Sequence, residues 1–414
     1  MKIENKEIKR VVPPLRFPEF RDAEGWEVTQ LHNLANRITR KNTHGTINRV
    51  LTNSASDGIV DQRDYFDKDI ANQNNLEGYY VVEKGDYVYN PRISNIAPVG
   101  PLSKNRIGTG VMSPLYTVFR FDNKINDFYA QYFQSINWHW YLKEVSNQGV
   151  RFDRISITPS IFMDMPIPAP IISEQQKITD CLGSLDDLIS AVTDKIEALK
   201  EYKKGLMQQL FPAEGKTTPT LRFPEFQNAG EWEEILLGSI STFINGRAYK
   251  QNELLESGKY RVLRVGNFFS NNNWYYSDLE LEDNKYCTKG DLLYAWSASF
   301  GPRMWNEEKV IFHYHIWKVI EHKGISRDFL FTLLSHETER IKKQQAKGLG
   351  LLHITKEAIE GWKTRITKNI LEQQKIANVL SSLDELISAE TDKLDLLKTH
   401  KKGLMQQLFP TINK

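Results

Sequence analysis

The chain has 414 residues and a formal net charge of +2, from 54 basic and 52 acidic side chains. At one domain per ~150 residues, that length predicts two or three domains. Hydrophobic residues make up 40% and aromatics 11%, so the composition supports packed cores and excludes the polar, highly charged regime of disordered chains. Apolar runs such as Val310-Ile311-Phe312 are far shorter than a membrane span. The opening MKIENKEIKR has no apolar h-region, so no secretion signal is expected. Cys181 and Cys287 are the only cysteines and no CxxC occurs. That usage predicts a reducing, cytoplasmic setting and argues against a disulfide frame or a cysteine zinc site.

In chain order, the first signal is the hexapeptide LRFPEF at 15–20, followed by Trp26. Apolar and alternating stretches at 78–82, 86–89 and 115–119 read as strands. A helix is predicted over 127–135, then a much longer one from Glu174. Ser173 stands where an N-cap would, with Gln176 at the capping-box position. Pro212 ends this helix, and PAEGKTTPT at 212–220 reads as a linker. LRFPEF then returns unchanged at 221–226, followed by Trp232. Strands are predicted at 260–265 and 316–320 and a helix over 328–345. A last long helix runs to Pro410.

The two long helices are copies of each other. Residues 174–212 and 372–410 share 28 of 39 positions, where composition alone would give roughly two or three. The segments before them have diverged and share only islands. Lys84-Gly85-Asp86 matches Lys289-Gly290-Asp291, and Gln148-Gly149-Val150 faces Lys347-Gly348-Leu349. The chain is therefore an internal duplication of one mixed unit followed by one helix. The expected division is 1–172, a first helix over 173–211, the linker 212–220, a second unit over 221–370, and a second helix over 371–410.

Each helix carries a heptad seam. Leu182, Leu185, Ile189, Val192, Ile196, Leu199 and Leu206 alternate at steps of three and four, with Lys203 filling one slot. The second copy has Leu380, Leu383, Ile387, Leu394, Leu397 and Leu404, interrupted by Glu390 and Lys401. A helix of this span is about 55 Å long at 1.5 Å per residue. Ordinary core helices are the plainer reading, but the strict heptad favours two helices packed antiparallel. The fold class expected is mixed α/β: two units joined by two long antiparallel coiled-coil helices, with a pseudo-two-fold duplication.

This plan resembles the specificity subunit of type I restriction-modification systems. The resemblance rests on LRFPEF, the Lys-Gly-Asp island, Met165-Pro166-Ile167-Pro168-Ala169-Pro170 before Glu174-Gln175, and the ending GLMQQLFP. It covers nearly the whole chain. One departure is Trp362-Lys363-Thr364-Arg365-Ile366, which precedes the second helix without the prolines. The resemblance implies two target recognition domains, each reading one half of a split double-stranded DNA sequence. It implies helices that act as spacer and as docking surface for two modification (methyltransferase) subunits, with restriction (translocase-nuclease) subunits joining the complex. It implies a non-catalytic chain with no cofactor and no membrane partner.

The residues agree with that absence of chemistry. The nearest match to an adenine-methyltransferase loop, Asn90-Pro91-Arg92-Ile93, lacks the second proline and the aromatic. Gly108-Thr109-Gly110 has no third glycine in register. Asp291 with Glu307-Glu308-Lys309 has loose nuclease spacing, without a counterpart around Asp86. His313 and His315 share one face of a strand, with no convincing third metal ligand. DNA contacts are expected from basic loops: Arg37, Arg40, Lys41, Arg92, Lys104, Arg106, Arg151 and Arg154 in the first unit, and Arg247, Lys250, Arg303, Lys342, Lys343 and Lys347 in the second. Arginine and lysine anchor phosphates, and arginine also reads guanine. Asn42, Asn105, Asn267 and Asn271 are candidate adenine readers. Trp274-Tyr275-Tyr276 and Trp138-His139-Trp140 offer stacking faces, against the safer reading of core packing. Two other functions remain open: the DNA-recognition subunit of another DNA-modifying system, and a coiled-coil scaffold with no DNA role.

Overall fold

The computed structural model describes residues 9–65, 76–146, 153–269, 271–297, 300–345 and 353–412. The chain divides into two compact units, Met1–Val192 with Lys393–Lys414, and Thr193–Asp392. The division cuts both long helices, Ile172–Leu210 and Ile370–Leu408, so each unit holds half of each helix. Among the described residues no helix is long and apolar enough to cross a membrane.

In the first unit, strands β1 (Trp26–Gln30), β2 (Ala35–Arg37), β3 (Tyr87–Tyr89), β4 (Leu102–Lys104), β5 (Thr117–Phe121) and β6 (Pro166–Ala169) form the frame. Four of them make an antiparallel sheet in the order β2-β5-β3-β4. β6 pairs with β1, which carries the chain back to the start of the first long helix. Trp26, Tyr87, Phe119, Phe128 and Trp138 pack with Ile178 and Leu182 of the first helix and with Met405, Leu408 and Phe409 of the second. The start of one helix and the end of the other thus lie in one core.

The second unit repeats the plan with β7 (Glu233–Leu236), β8 (Ser241–Asn245), β9 (Tyr260–Leu263), β10 (Tyr275–Ser277), β11 (Tyr286–Cys287), β12 (Leu292–Ala295), β13 (Gly301–Met304), β14 (Val310–Phe312), β15 (Ile316–Glu321) and β16 (Lys363–Ile366). The order β8-β15-β12-β13 is the first unit's sheet again, antiparallel throughout. A second sheet runs β10-β9-β14-β11, and its central pair, β9 and β14, is parallel. β16 pairs with β7 as β6 does with β1, so the missing prolines change nothing in the return strand. Leu210 and Phe211 pack here with Ile376, Ala377 and Leu380.

The helical expectations need one correction. The first helix begins at Ile172, so Ser173 lies inside its first turn. Glu174 N and Gln175 N donate to Ile171 O, both at 3.0 Å, so the backbone closes this end. The Gln176 amide donates to Asp180 Oδ1 at 2.7 Å, away from the cap. The second helix is capped by a side chain: Asn369 Oδ1 accepts from Leu371 N at 3.0 Å and Glu372 N at 3.3 Å. Both helices stop two residues short of a proline.

Along the seam, Leu182, Val192, Ile196, Leu380 and Leu394 are buried, while Leu185, Ile189, Leu199, Leu383, Ile387 and Leu397 are half-buried. Of the polar interruptions, Glu390 and Lys401 are buried and Lys203 is half-buried, and all three carry partners. In the second unit, Lys195 pairs with Glu390 and Lys203 with Asp384, each at 2.5 Å. In the first, Lys401 pairs with Asp186 at 2.5 Å and donates to Gln134 Oε1 at 3.0 Å. Within the second unit, ascending positions on one helix meet descending positions on the other, so the helices run antiparallel there. Lys203–Asp384 and Lys401–Asp186 are the same contact in the two copies, since both residues shift by the repeat length.

A second repeated contact fixes each hexapeptide. Arg16 forks onto Glu174, with Nε–Oε1 and Nη2–Oε2 both 2.7 Å. Arg222 forks onto Glu372 at 2.7 and 2.8 Å. Both carboxylates are 1% exposed. Beside them, Lys177 pairs with Glu19 and Lys375 with Glu225. Leu15 N donates to Gln407 O and Leu221 N to Gln209 O, at 2.9 and 3.0 Å. Each LRFPEF therefore clasps the start of one helix to the end of the other.

Two stability measurements follow. Ile196→Asp places an unpaired charge in the seam and is expected to cost several kcal/mol in denaturant unfolding. Ala198→Asp, on an exposed face of the same turn, should cost under about 1 kcal/mol; equal losses would mean that the seam is not packed. Arg16→Ala strands a buried carboxylate and should cost about 3–5 kcal/mol, while Arg16→Leu combined with Glu174→Leu should recover most of that loss. A double variant as unstable as the single would contradict a buried pair held mainly for its geometry.

Candidate nucleic-acid interface

The Lys-Gly-Asp islands are turns that lead into central strands. Gly85 and Gly290 have φ of 98° and 91°, a region that favours glycine. Asp86 Oδ2 accepts from Glu83 N, and Asp291 Oδ2 from Thr288 N, both at 2.7 Å. Each aspartate also meets a cation from the neighbouring strand, Arg120 of β5 at 2.5 Å or Lys318 of β15 at 2.8 Å. These carboxylates hold the turn. Glu307 faces Arg261 and Arg303 instead, at 3.4 and 3.5 Å. Lys309 Nζ lies 3.9 Å from the Tyr286 ring centroid. The nuclease-like spacing around Asp291 is thus not gathered into one site. Among the described residues no three His, Cys, Asp or Glu side chains form a metal-ligand group.

The basic candidates divide by what already holds them. Lys104 and Arg106 share Asp127, at 3.0 and 2.8 Å, and hold its carboxyl below the usual range against the opposing effect of burial. Arg247 forks onto Glu253 at 2.8 and 2.9 Å and draws that carboxyl down to about 2. Arg303 donates to Phe268 O at 2.6 Å. Arg40 pairs with Glu83 at 3.1 Å, Lys342 with Glu339 at 3.1 Å, and Arg154 with Asp153 at 3.8 Å. Arg37, Lys41, Arg92, Lys250 and Lys343 are exposed. Arg151 and Lys347 lie outside the described residues, as do Gln148-Gly149-Val150 and Lys347-Gly348-Leu349.

Three of the candidate adenine readers are spent on their own loops. Asn42 is buried and donates to Ile47 O at 2.9 Å. Asn105, fully buried, donates to Glu83 O and Gly108 O. Asn267 donates to Asn271 O and Asn273 O, at 2.9 and 2.8 Å. A side-chain amide tied to backbone carbonyls inside a loop does not reach a base edge. Trp138 is likewise a core residue, with its Nε1 donating to Phe133 O at 3.0 Å. His139, beside it, is drawn down to about 4, chiefly by burial.

The second unit brings its remaining polar and aromatic groups into one open cleft of about 510 Å³. It lies where the parallel strands β9 and β14 both end. Arg264 and Gly266 follow the first strand, and His313 and His315 follow the second. Asn271, Trp274 and Tyr275 complete the wall. Crevices beyond the carboxyl ends of parallel strands are the usual binding places of open α/β sheets. Gly246 lets a neighbouring loop cross close by: a Cβ there would sit 2.4 Å from His313 O. Arg264 lies over the Tyr275 ring, 5.1 Å from its centroid. Burial pulls His313 down to about 4, with His315 and Arg264 adding to it. His315 is lowered by burial and then by Arg264. Both rings are neutral near pH 7. Arg264 was not legible as a site residue in the sequence, because the stretch 260–265 reads as strand through it; the strand in fact ends at Leu263.

The comparisons with known proteins agree with this architecture. Residues 24–201 and 229–399 match the family described as Type I restriction modification DNA specificity domain. The chain is 25% identical over 320 residues to the type I restriction enzyme MjaVIII specificity subunit of Methanocaldococcus jannaschii, covering 72% of this chain and 73% of that one. It is 26% identical over 302 residues to the putative type I restriction enzyme MjaX specificity subunit of the same organism, covering 69% and 68%. Among solved structures it has the fold of the type I restriction-modification system S subunit from M. genitalium, with a TM-score of 0.58, 15% identity, and coverage of 97% and 100%. A chain from the structure described as "Structural basis underlying complex assembly and conformational transition of the type I R-M system" gives a TM-score of 0.58, 15% identity, and coverage of 93% and 97%. Two matched segments, one in each copy of the duplication, place the chain in the family of type I restriction-modification DNA specificity subunits.

Proposed function

We propose that this chain reads a split double-stranded DNA target, one half with 1–172 and the other with 221–370, while the helices at 173–211 and 371–410 set the spacing. The observation that carries this reading is the duplication itself. Its helices are nearly unchanged and its sheet order is repeated, whereas the loops around those sheets differ. A constant carriage with two different loop sets suits two independent readings on one ruler.

The chain supplies recognition and assembly, and partner subunits supply the chemistry. Two modification subunits dock on the helices, and restriction subunits join them in the cytoplasm. The repeated faces support two identical partners: Leu188 and Leu386, one repeat apart, are 41% and 40% exposed. A near-neutral chain that holds DNA must do so through local cations, because phosphate contacts supply most of the affinity. Of the basic candidates, Arg37, Lys41, Arg92, Lys250 and Lys343 fit that role best, since they are exposed and, among the described residues, no carboxylate pairs with them. Arg40, Lys104, Arg106, Arg154, Arg247, Arg303 and Lys342 serve by exchanging their present partners for phosphate, and Arg151 and Lys347 extend the set.

Incubated with labelled S-adenosylmethionine and plasmid, the purified chain should incorporate no methyl groups and leave the DNA intact. Activity should appear only when a modification subunit is added; incorporation by the pure chain would overturn this reading. The modular claim is checked by methylation mapping of genomes that express variants. Replacing 221–370 with the matching domain of a relative should change one half of the target and keep the other half and the spacing. Four residues added within the first helix should change the accepted spacing, since each helical residue adds 1.5 Å and about 100°, while the bases read stay the same. A swap that altered both halves, or an insertion that altered bases, would refute independent reading.

A further inference from the structure

We propose that Arg264 is a base-reading residue of the second unit, and that the cleft it shares with Asn271, Tyr275, His313 and His315 receives the major-groove edge of a guanine. The assignment rests on the DNA-reading function above and names where one base of that target is read.

Four observations lead to it. First, Arg264 differs from its neighbours in what holds it. Arg247, Arg261, Arg303 and Arg327 each meet a carboxylate. Among the described residues no carboxylate pairs with Arg264, although it is exposed. Second, its guanidinium is preorganised. Lying over Tyr275, 5.1 Å from the ring centroid, the group rests one face on the ring and leaves a fork of N–H donors for a planar partner. A fork of this kind matches guanine O6 and N7 together, whereas a point charge does not.

Third, the lining suits a base edge better than a phosphate. Among the described residues Arg264 is the one cation lining the cleft, and His313 and His315 are neutral near pH 7 because burial draws them down. The neutral imidazoles, and the amide nitrogen of Asn271, whose Oδ1 is held by Asn273 N at 2.8 Å, present hydrogen-bonding groups at fixed places. Those groups discriminate one base pattern from another and add no charge for a phosphate. Fourth, the frame beneath is rigid. Arg264 and His313 directly follow two paired strands, and His313 N donates to Leu263 O at 2.9 Å. Phe268 and Phe312 close the core under them. A residue at the rim of such a frame is held in place before DNA arrives.

The test selects bound sequences from a randomised duplex library with the full-length chain, alone and co-expressed with modification subunits. Wild type is compared with Arg264→Ala and Arg264→Lys. The expected result is that both variants keep the wild-type melting temperature and bind the wild-type motif more weakly, by about tenfold, while duplexes lacking its guanine are bound within a few-fold of wild type. Each should lose preference for guanine at one position in one half of the motif by about tenfold or more, with the other half unchanged. Three results would overturn the assignment. One is an unchanged motif in both variants. Another is a loss of affinity equal on all sequences with a shallower salt dependence, restored by lysine, which marks a phosphate contact. The third is a wild-type chain that binds duplex DNA yet enriches no sequence, which would remove the sequence-reading function as well; the first two leave that function standing.

Discussion

The clasp between each hexapeptide and the paired helix ends is the constraint on which the rest depends. A DNA-reading loop is only as well placed as the frame behind it, and here the frame meets the helices through a buried arginine fork. Desolvating an arginine and a carboxylate costs much of what their attraction returns, so such a pair adds little net stability compared with an apolar substitute. What it adds is direction. A forked pair at 2.7 Å on both arms accepts one approach angle, and Leu packing alone would accept several. Because the same fork recurs at Arg222 and Glu372, both units set their entry angle by one device.

The seam obeys the same logic. An all-leucine interface would bind its partner helix in several registers and in either direction. Lys401 against Asp186 and Lys203 against Asp384 are satisfied in the antiparallel register within their units. A shift of one heptad would leave Glu390, 8% exposed, or Lys401, 9% exposed, facing leucine. The helices therefore give up some apolar contact and gain a unique alignment. Under the proposed role of a ruler between two readings, alignment matters more than strength.

The large-scale plan was legible because duplication is visible without any structure. The repeated hexapeptide and the 28 shared positions of 39 gave the order of parts, and the heptad gave the buried face of each helix. Strand ends were less legible. The stretch at 115–119 is a strand over Thr117–Phe121, because Tyr116 N closes a turn onto Ser113 O and delays it. The helix start was misread at Ser173 because Ile171 O already accepts the free N–H groups that a side-chain cap would have taken. The site was the least legible part. Lysine and arginine in loops look alike in sequence, yet Lys104 and Arg106 are held by Asp127 and Arg247 by Glu253. Such pairing depends on which loops meet, and periodicity carries no record of that.

Charge economy links these points. A chain of net charge +2 has few cations to spare, and the fold uses many of them internally: at the clasps, in the seam, and beneath the Lys-Gly-Asp turns. Internal pairing lowers the background attraction to phosphate that any sequence would feel, and that background is what competes with recognition on a genome. A reader with its cations largely tied down must gain more of its binding from base edges and shape. Within the second unit, the cleft beyond β9 and β14 fits this condition, with one stacked guanidinium among neutral polar groups. The near-neutral composition, which at first speaks against nucleic acid, is then what a selective reader needs: weak general affinity, and a few donors held where a single pattern of acceptors can satisfy them.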